Sequence, residues 1–152
     1  MDKIKPASYL KRYSITIVVI LLAMILSHLL KPPGLYDKIL IYCENRTEVN
    51  FAAITDFQWD IAYVDREYYG EGKKIKEQYK ITGEFRYLAT DFSSRIAFCK
   101  DDKLIYDLVL NHHFFEMDSA VEIFYPEAIF AVEWISKEKY DAKKLYLAIS
   151  NK

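Results

Sequence analysis

Ile96-Ala97-Phe98-Cys99-Lys100-Asp101-Asp102-Lys103-Leu104-Ile105-Tyr106 sets the reading of the fold. Two runs of branched and aromatic residues flank the polar connection Lys100 to Lys103, the pattern of two antiparallel strands joined by a tight turn. Downstream, Leu108 to Met117 continues the sheet and carries His112 and His113. Ala128 to Ile135 and Lys144 to Ile149 form another strand pair, separated by the polar stretch Ser136 to Ala142. Upstream, Val49 to Ile54 and Trp59 to Val64, separated by Thr55-Asp56, read as two strands or as a strand after a single turn. Gly70-Glu71-Gly72 opens onto Lys73 to Ile81, where Ile75 and Tyr79 stand i, i+4 among charged residues, as an amphipathic helix requires. Tyr36 to Cys43 fits either a helix or a first strand. The expected class is α+β: a small, mainly antiparallel sheet of about five or six strands with one packed helix.

An apolar segment precedes this domain. Tyr13 to Leu30, YSITIVVILLAMILSHLL, carries no formal charge and lies between Lys11-Arg12 and Lys31. As a helix it would span about 27 Å, close to a bilayer's hydrocarbon thickness. It therefore reads as a transmembrane signal anchor over 13–30, behind a basic N-terminus, 1–12. Lys3, Lys5, Lys11 and Arg12 place that terminus in the cytoplasm by the positive-inside rule. No small-x-small cleavage triplet follows the run, and no cysteine lies close enough behind it to carry a lipid. Lys31-Pro32-Pro33-Gly34 is a short, stiff linker, 31–34. The expected localisation is the inner or cytoplasmic membrane, with 35–152 as a periplasmic or extracellular domain near the membrane.

That domain has room for one core. From Lys31 onward, 17 Lys and Arg stand against 21 Asp and Glu, a net charge of −4 with both signs interspersed. The balance argues against a nucleic-acid surface. Cys43 and Cys99 form an even pair, a possible disulfide in an oxidising compartment; two unrelated buried thiols are the alternative.

Candidate chemistry is sparse. His112-His113-Phe114-Phe115-Glu116-Met117-Asp118 is the one place where histidine and carboxylates cluster. On a strand, His112 and Glu116 would stand about 13 Å apart, too far to share an ion. Gly70-Glu71-Gly72-Lys73-Lys74 lacks the spacing of a phosphate loop. No catalytic residue, metal site or cofactor is expected, and the chain reads as no enzyme. The tyrosines carry more weight. There are 13, and Asp65-Arg66-Glu67-Tyr68-Tyr69 reads as an interaction patch formed by Arg66, Glu67, Tyr68 and Tyr69.

Asp56-Phe57-Gln58-Trp59-Asp60-Ile61-Ala62-Tyr63-Val64 resembles a segment of a loose group of uncharacterised bacterial membrane-anchored envelope proteins and lipoproteins, in which a D-F-x-W-D stretch leads into an aromatic strand. The stretch Ile96 to Lys103 is similar to theirs as well. Here Asp65 to Tyr69 replaces the glycine-proline-tyrosine turn usual in that group, and its lipid-bearing cysteine is absent. The resemblance implies a bacterial envelope location and an α+β domain, and it carries over no functional residue. Trp59 reads as a core anchor and Asp60 as a hydrogen-bonding group where the strand begins.

The functional expectation is a single-pass, membrane-anchored protein whose external domain binds another protein without catalysis. One concrete form is an immunity or exclusion protein against a toxin or phage component acting at the envelope. The alternative is a small accessory subunit of a membrane protein complex, with the apolar helix as interface.

Overall fold

The computed structural model describes residues 16–26, 32–66, 70–88, 93–136 and 143–150. The chain divides into two units, Met1–Pro33 and Gly34–Lys152. In the first, residues 16–26 form helix α1. In the second, α2 (Leu35–Cys43) precedes β1 (Glu48–Asn50), a 3₁₀ turn (Phe51–Ala53) and β2 (Ile61–Asp65). Then follow α3 (Lys73–Tyr79), β3 (Ser93–Lys100), β4 (Lys103–Asn111), β5 (Phe115–Met117), β6 (Ile123–Phe124), β7 (Ile129–Ser136) and β8 (Lys143–Ile149).

Local chemistry explains the central hairpin. Lys100 pairs with Lys103 across β3 and β4. Asp101 and Asp102 between them have φ of 50° and 58°, the left-handed pair that a two-residue turn needs to match strand twist, and one that aspartate tolerates. In α2, Leu35, Ile39 and Cys43 form one buried stripe at i, i+4 and i+8, which resolves this segment as a helix. The Asp37 carboxylate accepts the Gly34 N–H at 3.2 Å and satisfies one donor of its first turn. Gly72 starts α3 at φ 64° beneath the Phe85 ring, where a Cβ would stand 2.6 Å from a ring carbon.

Among the described residues the strands form two four-stranded sheets, β1-β7-β8-β5 and β4-β3-β2-β6. They share one core. Phe130 from the first sheet meets Phe124 from the second at 5.0 Å between ring centroids, and Phe51 packs edge-on against Phe130 at 5.4 Å. Trp59 meets Phe98 at 5.1 Å. The second sheet is covered on its other face too: Ile75 of α3, Ile81 and Phe85 lie over Tyr63, Ala97 and Cys99. We call it the covered sheet, and its partner the open sheet.

Two expectations are corrected here. A single sheet of five or six strands with one helix gives way to eight described strands in two sheets, with β5 and β8 paired in parallel. The transmembrane helix is the second. Among the described residues, no helix is long and apolar enough to cross a membrane. Of the expected span 13–30, residues 16–26 are described, as helix α1; the remainder of 13–30, and the basic 1–12, lie outside the described residues. The single-pass signal anchor, and the inner-membrane localisation drawn from it, are withdrawn with that helix.

Candidate functional site

Of the expected interaction patch, Glu67, Tyr68 and Tyr69 lie outside the described residues. Arg66 is committed to structure: its Nη2 donates to the carbonyls of Asp118 at 2.6 Å and Val121 at 2.9 Å. Cys43 and Cys99 are both free and buried. They belong to different apolar clusters, Cys43 to the core between the sheets and Cys99 to the layer under α3, so the covered sheet stands between them and no bridge joins them. Burial pushes the Cys43 thiol up to about 11 and the Cys99 thiol up to about 12. Both are protonated at neutral pH and poor nucleophiles.

The two histidines sit on the turn between β4 and β5 rather than within a strand. Among the described residues, no group of three or more His, Cys, Asp or Glu is placed to hold a metal ion. Burial holds His112 below the ordinary imidazole range, opposed in part by Glu116. Trp59 is buried in the core, its indole N–H donating to Thr55 Oγ1 at 3.1 Å, and Asp60 accepts the Asp101 N–H at 3.3 Å.

One ionic cluster escaped sequence reasoning. Arg95, 0% exposed, reaches Asp65 at 3.6 Å and Asp107 at 3.3 Å. Its Nη2 also donates to the carbonyls of Gly70 at 2.8 Å and Arg86 at 2.9 Å, and Asp107 accepts the Arg86 N–H at 2.7 Å. The cluster therefore clamps the segments on either side of α3 to the covered sheet. Desolvation raises the Asp107 pKa, against the lowering influence of the Arg86 N–H and Arg95. The available signal was a charge set among apolar residues in each of three strands, Asp65, Arg95 and Asp107, with Arg95 directly opposite Asp65. Sealed and bonded to its own chain, this cluster positions loops and offers no surface to a partner.

The open sheet carries the accessible site. A groove of about 370 Å³ is lined by Leu40, Ile41, Glu44 and Trp134. It exists because β1 is short. Glu48, Val49 and Asn50 pair only with Ala131, Phe130 and Ile129, while β7 runs on to Ser136. Val132 N–H still finds the Thr47 carbonyl at 2.8 Å. Ser150 N–H donates to the Ile129 carbonyl, so Ile129, Ala131, Glu133 and Ile135 direct their backbone groups toward β8, and Phe130, Val132, Trp134 and Ser136 direct theirs away. Past Val132, β7 has no partner strand on that side among the described residues.

Helix α2 forms the wall beside this edge. The Trp134 indole N–H donates to the carbonyl of Cys43 at 3.1 Å, which satisfies a carbonyl of the helix's last turn and fixes the ring. Ile41 is 64% exposed. Glu44 is exposed and joins none of the ion pairs among the described residues. A second hollow of about 330 Å³ near Trp59 and Pro126 differs in kind. There Lys100 donates to Gln58 at 2.7 Å, so its polar groups are already engaged with one another. No family model, curated protein or solved structure matches this chain.

Proposed function

We propose that the domain 34–152 is a non-catalytic module that binds another protein through the groove between α2 and β7. The single observation that carries this reading is the juxtaposition of an exposed Ile41 with a fixed Trp134 beside a strand edge that has no partner among the described residues. Rigid aromatic and aliphatic anchors in a concave site are what protein interfaces use, because little side-chain entropy is lost on contact. The chemistry of the candidate nucleophiles supports the same reading, since both thiols are held protonated by burial. One concrete form is an immunity or exclusion protein that neutralises a toxin or phage component by occupying its surface.

The test is cross-linking in the native cell through a C-terminal tag, comparing the unmodified chain with Ile41→Asp. The variant should fold normally, because Ile41 is exposed, and should lose the recovered partner. Undiminished recovery of every partner by a folded Ile41→Asp would sink the groove as a binding site.

A specific observation favours a second reading, an accessory subunit of a larger assembly. In α1, Ile17 to Leu22 and Met24 to Leu26 are each 50–63% exposed, so the helix is apolar all round within its own unit. Such a helix requires cover from other chains or other segments. Recovery of a fixed set of proteins in constant ratio, abolished by charged substitutions in 16–26 but not by Ile41→Asp, would favour the subunit.

A further inference from the structure

We infer that the groove receives an extended segment of a partner protein, which adds to β7 as a new edge strand and sets a basic side chain opposite Glu44. This rests on the protein-binding reading and names the form of its ligand. An unpaired strand edge presents regularly spaced donors and acceptors, and an extended peptide supplies the complementary row; side-chain pockets then provide selectivity. Here Trp134 and Ser136 each direct an N–H and a C=O to the open side, as the pairing of β7 with β1 and β8 requires. The stretch from Glu133 to Ser136 spans about 10 Å, room for a segment of about four residues.

Side chains alternate along the added strand. Those on the core-facing side would meet Trp134, Leu40 and Ile41, and those on the other would lie beside Glu133 and Ile135. Charge selects among occupants. Glu44 lines the groove and Glu133 is exposed on the strand, both acidic. A second copy of this chain, paired edge to edge, would add a second Glu44 and Glu133 to the same edge and concentrate like charge there, which disfavours self-association. A basic extended segment meets them with opposite sign.

Random hexapeptides displayed on phage are selected against the full chain, and the enriched sequences are synthesised and measured by fluorescence polarisation. The selected peptides should alternate apolar residues and carry Lys or Arg. N-methylation of alternate amides should weaken binding about tenfold, as loss of a backbone hydrogen bond does, while methylation of the intervening amides changes it little. Ser136→Pro removes an N–H that points away from β8, so the ladder to β8 survives and the peptide should again bind about tenfold more weakly. Glu44→Lys should reverse the charge preference.

Equal affinity for peptides methylated at either set of amides would overturn strand addition and leave side-chain docking in the groove, with the protein-binding reading intact. Failure to enrich any peptide would overturn the inference as well. A dimer in solution that dissociates on Ser136→Pro would overturn it in favour of a second copy as occupant. The binding reading itself falls separately, on a folded Ile41→Asp that keeps every cross-linked partner.

Discussion

The two sheets of this domain share one core yet face opposite problems. The covered sheet is buried on both sides, and its strand β3 is buried continuously from Ser94 to Cys99. It can hold charge only by pairing it internally, as Arg95, Asp65 and Asp107 do. The open sheet buries one side, through Phe115, Phe130, Leu145 and Leu147, and places Glu48, Glu116, Glu133 and Lys144 on the other. Its charges can be solvated, and past Val132 the β7 edge has no partner strand among the described residues. On the proposed binding reading, rigidity and recognition are divided between the layers: one fixes loops, while the other presents a strand edge and a groove.

The largest test of this division is Arg95→Met. It leaves two carboxylates enclosed without their cation, and the expected loss is about 3–5 kcal/mol, typical of removing one partner from a buried ionic cluster. Urea denaturation measures it. A loss below about 1 kcal/mol would mean that the cluster is solvated like a surface pair, and the contrast between the sheets would break.

Gly83→Ala comes next. Gly83 has φ +136°, and a Cβ there would lie 2.7 Å from Leu104 Cβ. The substitution combines backbone strain with a clash against β4 and should lower stability by about 2 kcal/mol. The melting temperature reports this, and an unchanged value would show that the loop after α3 yields without disturbing the covered sheet.

Asp107→Asn then reads the cluster's pH dependence. The folded-state pKa of Asp107 is raised, chiefly by desolvation. Its contribution to stability is therefore fully present below the unfolded value near 3.8 and is lost as pH rises through the folded value. Removing the titration should make the variant's stability relative to the parent improve from pH 3 toward pH 7. The facing groups are Arg95 on β3, Asp65 on β2 and Arg86 before β3. The opposite trend in denaturation midpoints would place ionised Asp107 as a net stabilising partner of Arg95.

Local features of this fold were legible and long-range ones were not. The hairpin at Lys100 to Lys103 was readable because turn and strand preferences agree there. Helix α3 was readable from Ile75 and Tyr79, which now lie over the covered sheet, Tyr79 stacked on Tyr63 at 4.3 Å. Ala128 to Ile135 and Lys144 to Ile149 anticipated β7 and β8 within a residue or two. Val49 to Ile54 was not a full strand, since Phe51–Ala53 turns into a 3₁₀ helix capped by the Asn50 side chain. The division into two sheets depends on β1 meeting β7 and β5 meeting β8, pairings between distant segments that no local pattern encodes. The groove was invisible for the same reason. It arises from a mismatch in length between β1 and β7, and Ile41 and Trp134 carry no motif that joins them.

The smallest expected effect lies on the open sheet. Lys144 on β8 pairs with Glu116 on β5, with side chains 13% and 44% exposed. It is the open sheet's counterpart to the Arg95 cluster, but water reaches the carboxylate and screens the pair. Lys144→Met keeps most of the apolar stem and should cost no more than about 1 kcal/mol. Added salt should weaken the parent slightly and the variant less, because the Debye length at 0.1 M is about 10 Å and only the parent retains the interaction. A loss in urea midpoint comparable to that of Arg95→Met would mean that the β5–β8 edge depends on its ion pair as the covered sheet depends on its own. Burial on one face or two would then not be what separates the sheets.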